Sequence, residues 1–119
     1  MTEFQKKLKG KMNEFVHFVY HVTKSFPREE LFGVTSQFRR AALSVILNYI
    51  EGFARIKHLV QLNFLETSYG SLREADYLLD FSFKERFLDE NNCKMGKALT
   101  DEIGAMLWTE IEALRKSLA

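Results

Sequence analysis

Glu14-x-x-His17 is the first spacing in this chain that could do chemistry. On a helix it sets a carboxylate and an imidazole on adjacent turns, as in one half of a carboxylate-bridged di-iron site, and His21 follows one turn later. Such a site needs a second Glu-x-x-His and inward glutamates from other helices, and the chain has no second copy. Helical phase also sets His17 and His21 opposite the apolar side of their own helix, where an i, i+4 pair would bind zinc only weakly. Cys93 could have a lowered pKa near a helix start, but reads more simply as a capping-region thiol. A glycine-rich phosphate loop, a pair of catalytic carboxylates beside a cleft and a Cys-x-x-Cys are all missing from the pattern. The expectation is therefore a protein that is not an enzyme and uses no metal or cofactor.

Cations offer a second chemistry. Lys6, Lys7, Lys9 and Lys11 crowd the opening turns of the first helix, and phosphate is what such a cluster would hold. No aromatic or arginine interleaves them, which is how an ordinary solvated helix end looks. With Arg39, Lys57 and His58 they make up the candidate nucleic-acid contacts. The whole chain carries a net charge of only +1, so no strong overall field draws it to nucleic acid or anionic lipid. The charge is uneven: residues 1–60 hold 10 cations against 5 anions, and residues 61–119 hold 7 against 11. That asymmetry suits head-to-tail contacts between copies, and equally suits solvated faces that happen to differ.

The third pattern is a polar stripe. Between Val34 and Arg55, the residues Gln37, Arg40, Ser44, Asn48, Glu51 and Arg55 recur at steps of 3, 4, 4, 3 and 4. They fall within roughly 80° of arc on a helix. Nearly everything else there is apolar, which is the mark of a helix buried on more than one side. Ser71 and Glu74, further along the chain, could meet this stripe, with Arg40 pairing to Glu74 and Glu51 to Arg55. Such a network would fix helix register. It predicts that Arg40→Leu lowers the melting temperature or breaks assembly. A ligand pocket is the other use of the same residues.

The elements that must carry these residues are four helices. The first runs from residue 2 to about 25 on the seam Phe4, Leu8, Met12, Phe15, Val19 and Val22. Pro27 stops it and opens a short turn with Glu29 and Glu30 near its positive end. The second spans Val34 to about Arg55, with Thr35 or Ser36 as its cap. The third covers about Leu59 to Lys84, with Asp76 standing where the seam expects an apolar residue and Gly70 in mid-helix. Gly70 costs about 1 kcal/mol against Ala, which close approach of another helix near Ala41 or Gly52 would offset. The fourth runs from about Cys93 to Leu118, capped by Asn91 or Asn92 and striped by Met95, Leu99, Ile103, Met106, Leu107, Ile111, Leu114 and Leu118. Four such helices with short links predict a single all-α domain over residues 1–119, an antiparallel up-down-up-down bundle.

The ordered motifs resemble a known family. They are Phe26-Pro27-x-Glu29-Glu30-Leu31-Phe32-Gly33-x-Thr35-x-Gln37-x-Arg39-Arg40-Ala41-Ala42-x-Ser44, then Asn48-x-x-Glu51-Gly52, then Gly70-Ser71-Leu72-x-Glu74. Over about residues 26–90 the chain is similar to the proteins encoded within intervening sequences of bacterial 23S ribosomal RNA genes, often labelled ribosomal protein S23-like. The resemblance implies a four-helix bundle assembling as a homopentamer. It also implies kinship with a retroelement accessory protein that binds nucleic acid and a reverse transcriptase, hence RNA or DNA and a partner protein as partners. The family tends to have Ser-Ile-Pro-Ser-Asn-Ile-Ala-Glu-Gly where this chain has Ile46, Leu47 and Ile50 in place of Pro, Ser and Ala, and Lys57 in place of a helix-opening Ser. These changes make one face of the second helix more apolar, and Leu43, Ile46, Leu47 and Ile50 are the expected subunit interface.

Two functions follow. One is a homo-oligomeric accessory protein associated with nucleic acid, which the resemblance favours. The other is a structural assembly or protein adaptor with no nucleic-acid role, which the near-neutral charge favours. No stretch of about 18 charge-poor apolar residues is present, the N-terminus has no signal-peptide pattern, and a single cysteine forms no intrachain disulfide. The expected setting is the cytoplasm, with no membrane partner.

Overall fold

A computed structural model describes all of residues 1–119. It contains four long helices and no strand: α1 (Glu3–Thr23), α2 (Val34–Phe53), α3 (His58–Lys84) and α4 (Glu90–Leu118). One short 3-10 turn, Arg28–Glu30, joins α1 to α2, with Pro27 directly before it. No helix is long and apolar enough to cross a membrane.

The helix starts show which side chains win the competition for unpaired N–H groups. Thr2 opens α1 with a reciprocal capping box: its hydroxyl accepts from the Gln5 N–H, and the Gln5 amide accepts from the Thr2 N–H. α2 begins after Gly33 with no capping side chain, neither Thr35 nor Ser36. The Glu30 carboxylate instead accepts from the Val34 N–H at 3.3 Å, and Thr35 is buried. A carboxylate from the preceding turn does this job because it is a stronger acceptor than a hydroxyl. α4 begins three residues earlier than expected, because Asp89, ahead of both asparagines, accepts from the Asn92 N–H at 2.8 Å.

The core is one cluster built from all four helices. Leu8, Met12, Phe15 and Val19 of α1 meet Phe38, Ala42, Val45 and Tyr49 of α2, Leu72, Ala75 and Leu79 of α3, and Ile103, Leu107 and Ile111 of α4. Phe4 and Met95, expected on the seams, are exposed. Cross-helix contacts pair Thr23 with Arg39, Val45 with Ser68, Asp76 with Thr100, and Gln5 with Glu110.

Close approach occurs at Gly52, one of the positions expected, and at Gly96, but not at Gly70. Nothing lies within 4 Å of a Cβ placed on Gly70. A Cβ on Gly52 would meet Phe64 Cβ at 3.3 Å, and one on Gly96 would meet the Leu79 methyls at 2.8 Å. Gly52 thus lets the end of α2 lie against α3, and Gly96 lets α4 lie against α3. α3 ends with the backbone turning through Arg86 at a φ of 65°, the left-handed region. Two bonds, Phe87 N–H to Ser82 O and Arg86 N–H to Phe83 O, close a Schellman motif there. Phe87 is then carried onto Phe26, ring centroids 5.6 Å apart.

Candidate functional site

The polar stripe of α2 lies along α3. Its middle is a closed hydrogen-bonded seam: the Ser44 and Ser71 hydroxyls lie 2.7 Å apart, and the Asn48 amide donates to both the hydroxyl and the carbonyl of Ser44 at 2.9 Å. Either hydroxyl can donate in the Ser44–Ser71 bond, since Ser44 keeps a second lone pair beside the one that accepts from Asn48. Beneath this, the buried Ser68 hydroxyl donates to the Val45 carbonyl at 2.6 Å. At the far end of the stripe Arg55 pairs with Glu51 at 2.6 Å and lies over the Phe64 ring at 5.0 Å. Gln61 donates to the Arg55 carbonyl at 2.6 Å, tying the α2–α3 turn.

The near end is open. Gln37, Arg40 and Glu74 line a polar groove of about 280 Å³ with Ala41, Ser44 and Ser71, and none of the three long side chains makes a hydrogen bond or ion pair within the chain. The expected Arg40–Glu74 pair does not form. Both side chains are exposed, and an exposed pair gains too little to hold two flexible side chains in one geometry. Arg40 thus has no hydrogen-bond or ion-pair partner within its own chain.

The seven candidate nucleic-acid residues separate. Arg39 is tied to α1: its Nε donates to the Thr23 hydroxyl at 2.8 Å and its guanidinium covers the Tyr20 ring at 4.8 Å. Lys11 pairs with Glu14 and Glu102, at 3.7 and 3.6 Å, and Lys6 with Glu3 at 3.4 Å. Lys7, Lys9, Lys57 and His58 have no anionic partner within 4.0 Å. Gln5, Gly52, Phe53, Gln61 and Ser117 line one pocket, so the start of α1, the end of α2, the start of α3 and the end of α4 share one end of the bundle. The unpaired Lys7, Lys9, Lys57 and His58 belong to that end, and Lys116 of α4 joins them. Sequence reasoning did not include Lys116, because its position after Arg115 reads as an ordinary helix-dipole cation.

Of the four expected interface residues, Ile46 is buried within its own chain, 9% exposed, because it stands one turn from Ala42 and beside Tyr49 on the core side. Leu43 is half-buried, while Leu47 and Ile50 are 57% and 40% exposed. His17 and His21 are exposed, and no three His, Cys, Asp or Glu side chains converge.

Two further polar groupings lie between helices. Asp76, buried on α3, accepts from Thr100 at 2.8 Å and Lys97 at 3.0 Å, and Lys97 also reaches Asp80 at 3.1 Å. Burial pulls the Lys97 ammonium down, but its bonds to Asp76 and Asp80 outweigh this and hold it above its ordinary value. The seam break at Asp76 was the signal for this contact. Burial and then the Asp80 charge push the nearby Cys93 thiol up, the reverse of an activated cysteine. The second grouping is Tyr49 of α2, whose fully buried phenol donates to Glu110 of α4 at 2.6 Å. Burial, then the bond and charge of Glu110, push that phenol well up. Burial also pushes the Glu110 carboxyl up, against the pull of its bonds to Tyr49 and Gln5. Tyr49 reads as one more apolar position in the sequence, so nothing there announces a partner.

No curated protein matches the chain. A crystal structure from Bacteroides thetaiotaomicron VPI-5482, described as a protein with unknown function from the S23 ribosomal protein family, is similar in fold. The TM-score is 0.85 at 19% sequence identity, over 92% of this chain and 98% of that chain. Residues 6–109, which hold the closed seam, the open groove and Arg39, match the model of the family described as 23S rRNA-intervening sequence protein. The chain belongs to that family.

Proposed function

We propose that this protein is a non-enzymatic accessory protein that associates with nucleic acid through one basic end of its bundle. The observation that carries this reading is the set of cations without anionic partners, Lys7, Lys9, Lys57 and Lys116 with His58, on helix ends that line one pocket. Membership of a family whose name refers to 23S rRNA supports it. Fixed cations at one end would track phosphates without reading bases. The helices run antiparallel, up-down-up-down; the pairing of early α1 with late α4, and of late α1 with early α2, supports that arrangement. The bundles assemble as a homopentamer in the cytoplasm. The exposed Leu47 and Ile50 support assembly, and the single free cysteine suits a reducing compartment.

A second reading is a structural assembly or protein adaptor with no nucleic-acid role. The exposed apolar side chains Leu47, Ile50, Ile56 and Leu59, in a chain of net charge +1, favour it.

Binding to structured RNA, measured from about 50 to 200 mM salt, separates the two. The expected affinity falls steeply with salt, and Lys7→Ala with Lys57→Ala lowers the slope by about 1 per lysine. Absent or salt-independent binding at low salt removes the nucleic-acid reading and leaves the adaptor.

A further inference from the structure

The pocket at the basic end is lined by more than solvated polar groups. Its volume is about 260 Å³. Phe53, Leu65 and Leu114 form its apolar wall, Gln61 and Ser117 its polar rim, and Glu110 its carboxyl. Glu110 is half-buried. One oxygen accepts from the Tyr49 phenol at 2.6 Å, and the other accepts only a long bond from Gln5 at 3.3 Å. A carboxylate has about four acceptor positions, so two are unused. No lysine, arginine or histidine lies within 4.0 Å of it, although nine other acidic side chains pair with cations elsewhere on the bundle. A partly desolvated carboxylate without a counter-charge is a costly arrangement for a purely structural contact. The cost is recovered when a cation with a short hydrocarbon body enters: its ammonium meets Glu110 and its carbon part replaces water against Phe53, Leu65 and Leu114. The Phe53 ring, edge-on to Tyr49 with centroids 5.0 Å apart, adds an aromatic surface that favours cations.

We infer that this pocket is a binding site for a small organic ammonium ion with a short apolar body, held by Glu110. An anion is repelled by the carboxylate, and an alcohol of the same shape loses the charge-assisted bond. The site stands apart from the proposed nucleic-acid role: it depends on Glu110 and the apolar wall, not on the surrounding lysines.

2-Phenylethylammonium is the probe, with 2-phenylethanol as its uncharged counterpart, each titrated into the full-length protein at pH 7.5. Binding is read by calorimetry and by the amide shifts of Gly52 and Leu114. The ammonium is expected to bind at least about tenfold more tightly than the alcohol, and Glu110→Gln to remove that preference. Should Glu110→Gln fail to fold, Ala113→Phe at the rim keeps the carboxyl and fills the opening, and it too is expected to abolish binding. Equal binding of amine and alcohol, undiminished binding to Glu110→Gln or Ala113→Phe, or no shift at Gly52 and Leu114 overturns the proposal. A pocket already filled by another copy in the assembled protein gives that last result and overturns it equally.

Discussion

At the scale of single residues, burial decides what each polar group can do. Glu110 is desolvated enough for burial to push its carboxyl above the ordinary carboxylate range. The consequence for stability has a definite sign. A raised folded-state pKa means the folded chain holds the proton more tightly than the unfolded chain. The stability from this group is fully present below the ordinary carboxyl range and is lost as pH rises through the folded value. Glu110→Gln removes the titration. Its urea midpoint is therefore expected to gain on the wild type between pH 4.5 and pH 7, with Tyr49 and Gln5 as the groups facing the substituted side chain. A difference that stays constant across that range would show that Glu110 does not titrate above its ordinary value.

The same scale shows the reach and the limit of sequence pattern. The stripe from Gln37 to Arg55 was legible because six polar residues on an apolar helix define an arc whatever the neighbours are. Its Glu51–Arg55 pair follows from i, i+4 spacing alone. The Arg40–Glu74 pair was not decidable that way, since it depends on exposure and on the distance between two helices. Tyr49 and Glu110 lie 61 residues apart, and no local pattern links them.

At the scale of elements, periodicity placed all four helices, and side-chain chemistry set their ends. Cap positions were misread where two acceptors competed: Asp89 before Asn91, and Glu30 before Thr35. The helix-three terminus holds a testable strain. Arg86 occupies a left-handed conformation that costs an L side chain roughly 1 kcal/mol and costs glycine little. Arg86→Gly is expected to raise stability by about 0.5–1 kcal/mol in denaturant unfolding, because the Schellman bonds need only backbone. A loss of stability would mean that the Arg86 side chain contributes more than its backbone costs.

At the scale of the whole molecule, α2 connects fold to function. One side of it builds the core through Phe38, Ala42, Val45, Ile46 and Tyr49. Another carries the seam to α3. The third presents Leu47 and Ile50 to solvent. Sequence alone marked this helix as apolar on too many sides, but which apolar residues its own bundle would claim required the packing: Ile46 went inward and Leu47 did not. A chain that spends two large aliphatic side chains on an outer face is stabilised by covering them, and copies of itself are the proposed cover.

Sedimentation equilibrium at micromolar concentration tests that claim most directly. Five chains of 13.9 kDa give a particle of about 70 kDa, and Leu47→Glu with Ile50→Glu is expected to reduce it to single folded bundles. A wild-type protein that sediments as one well-behaved 13.9 kDa species would contradict the account, and the assembly built on α2 would fall with it.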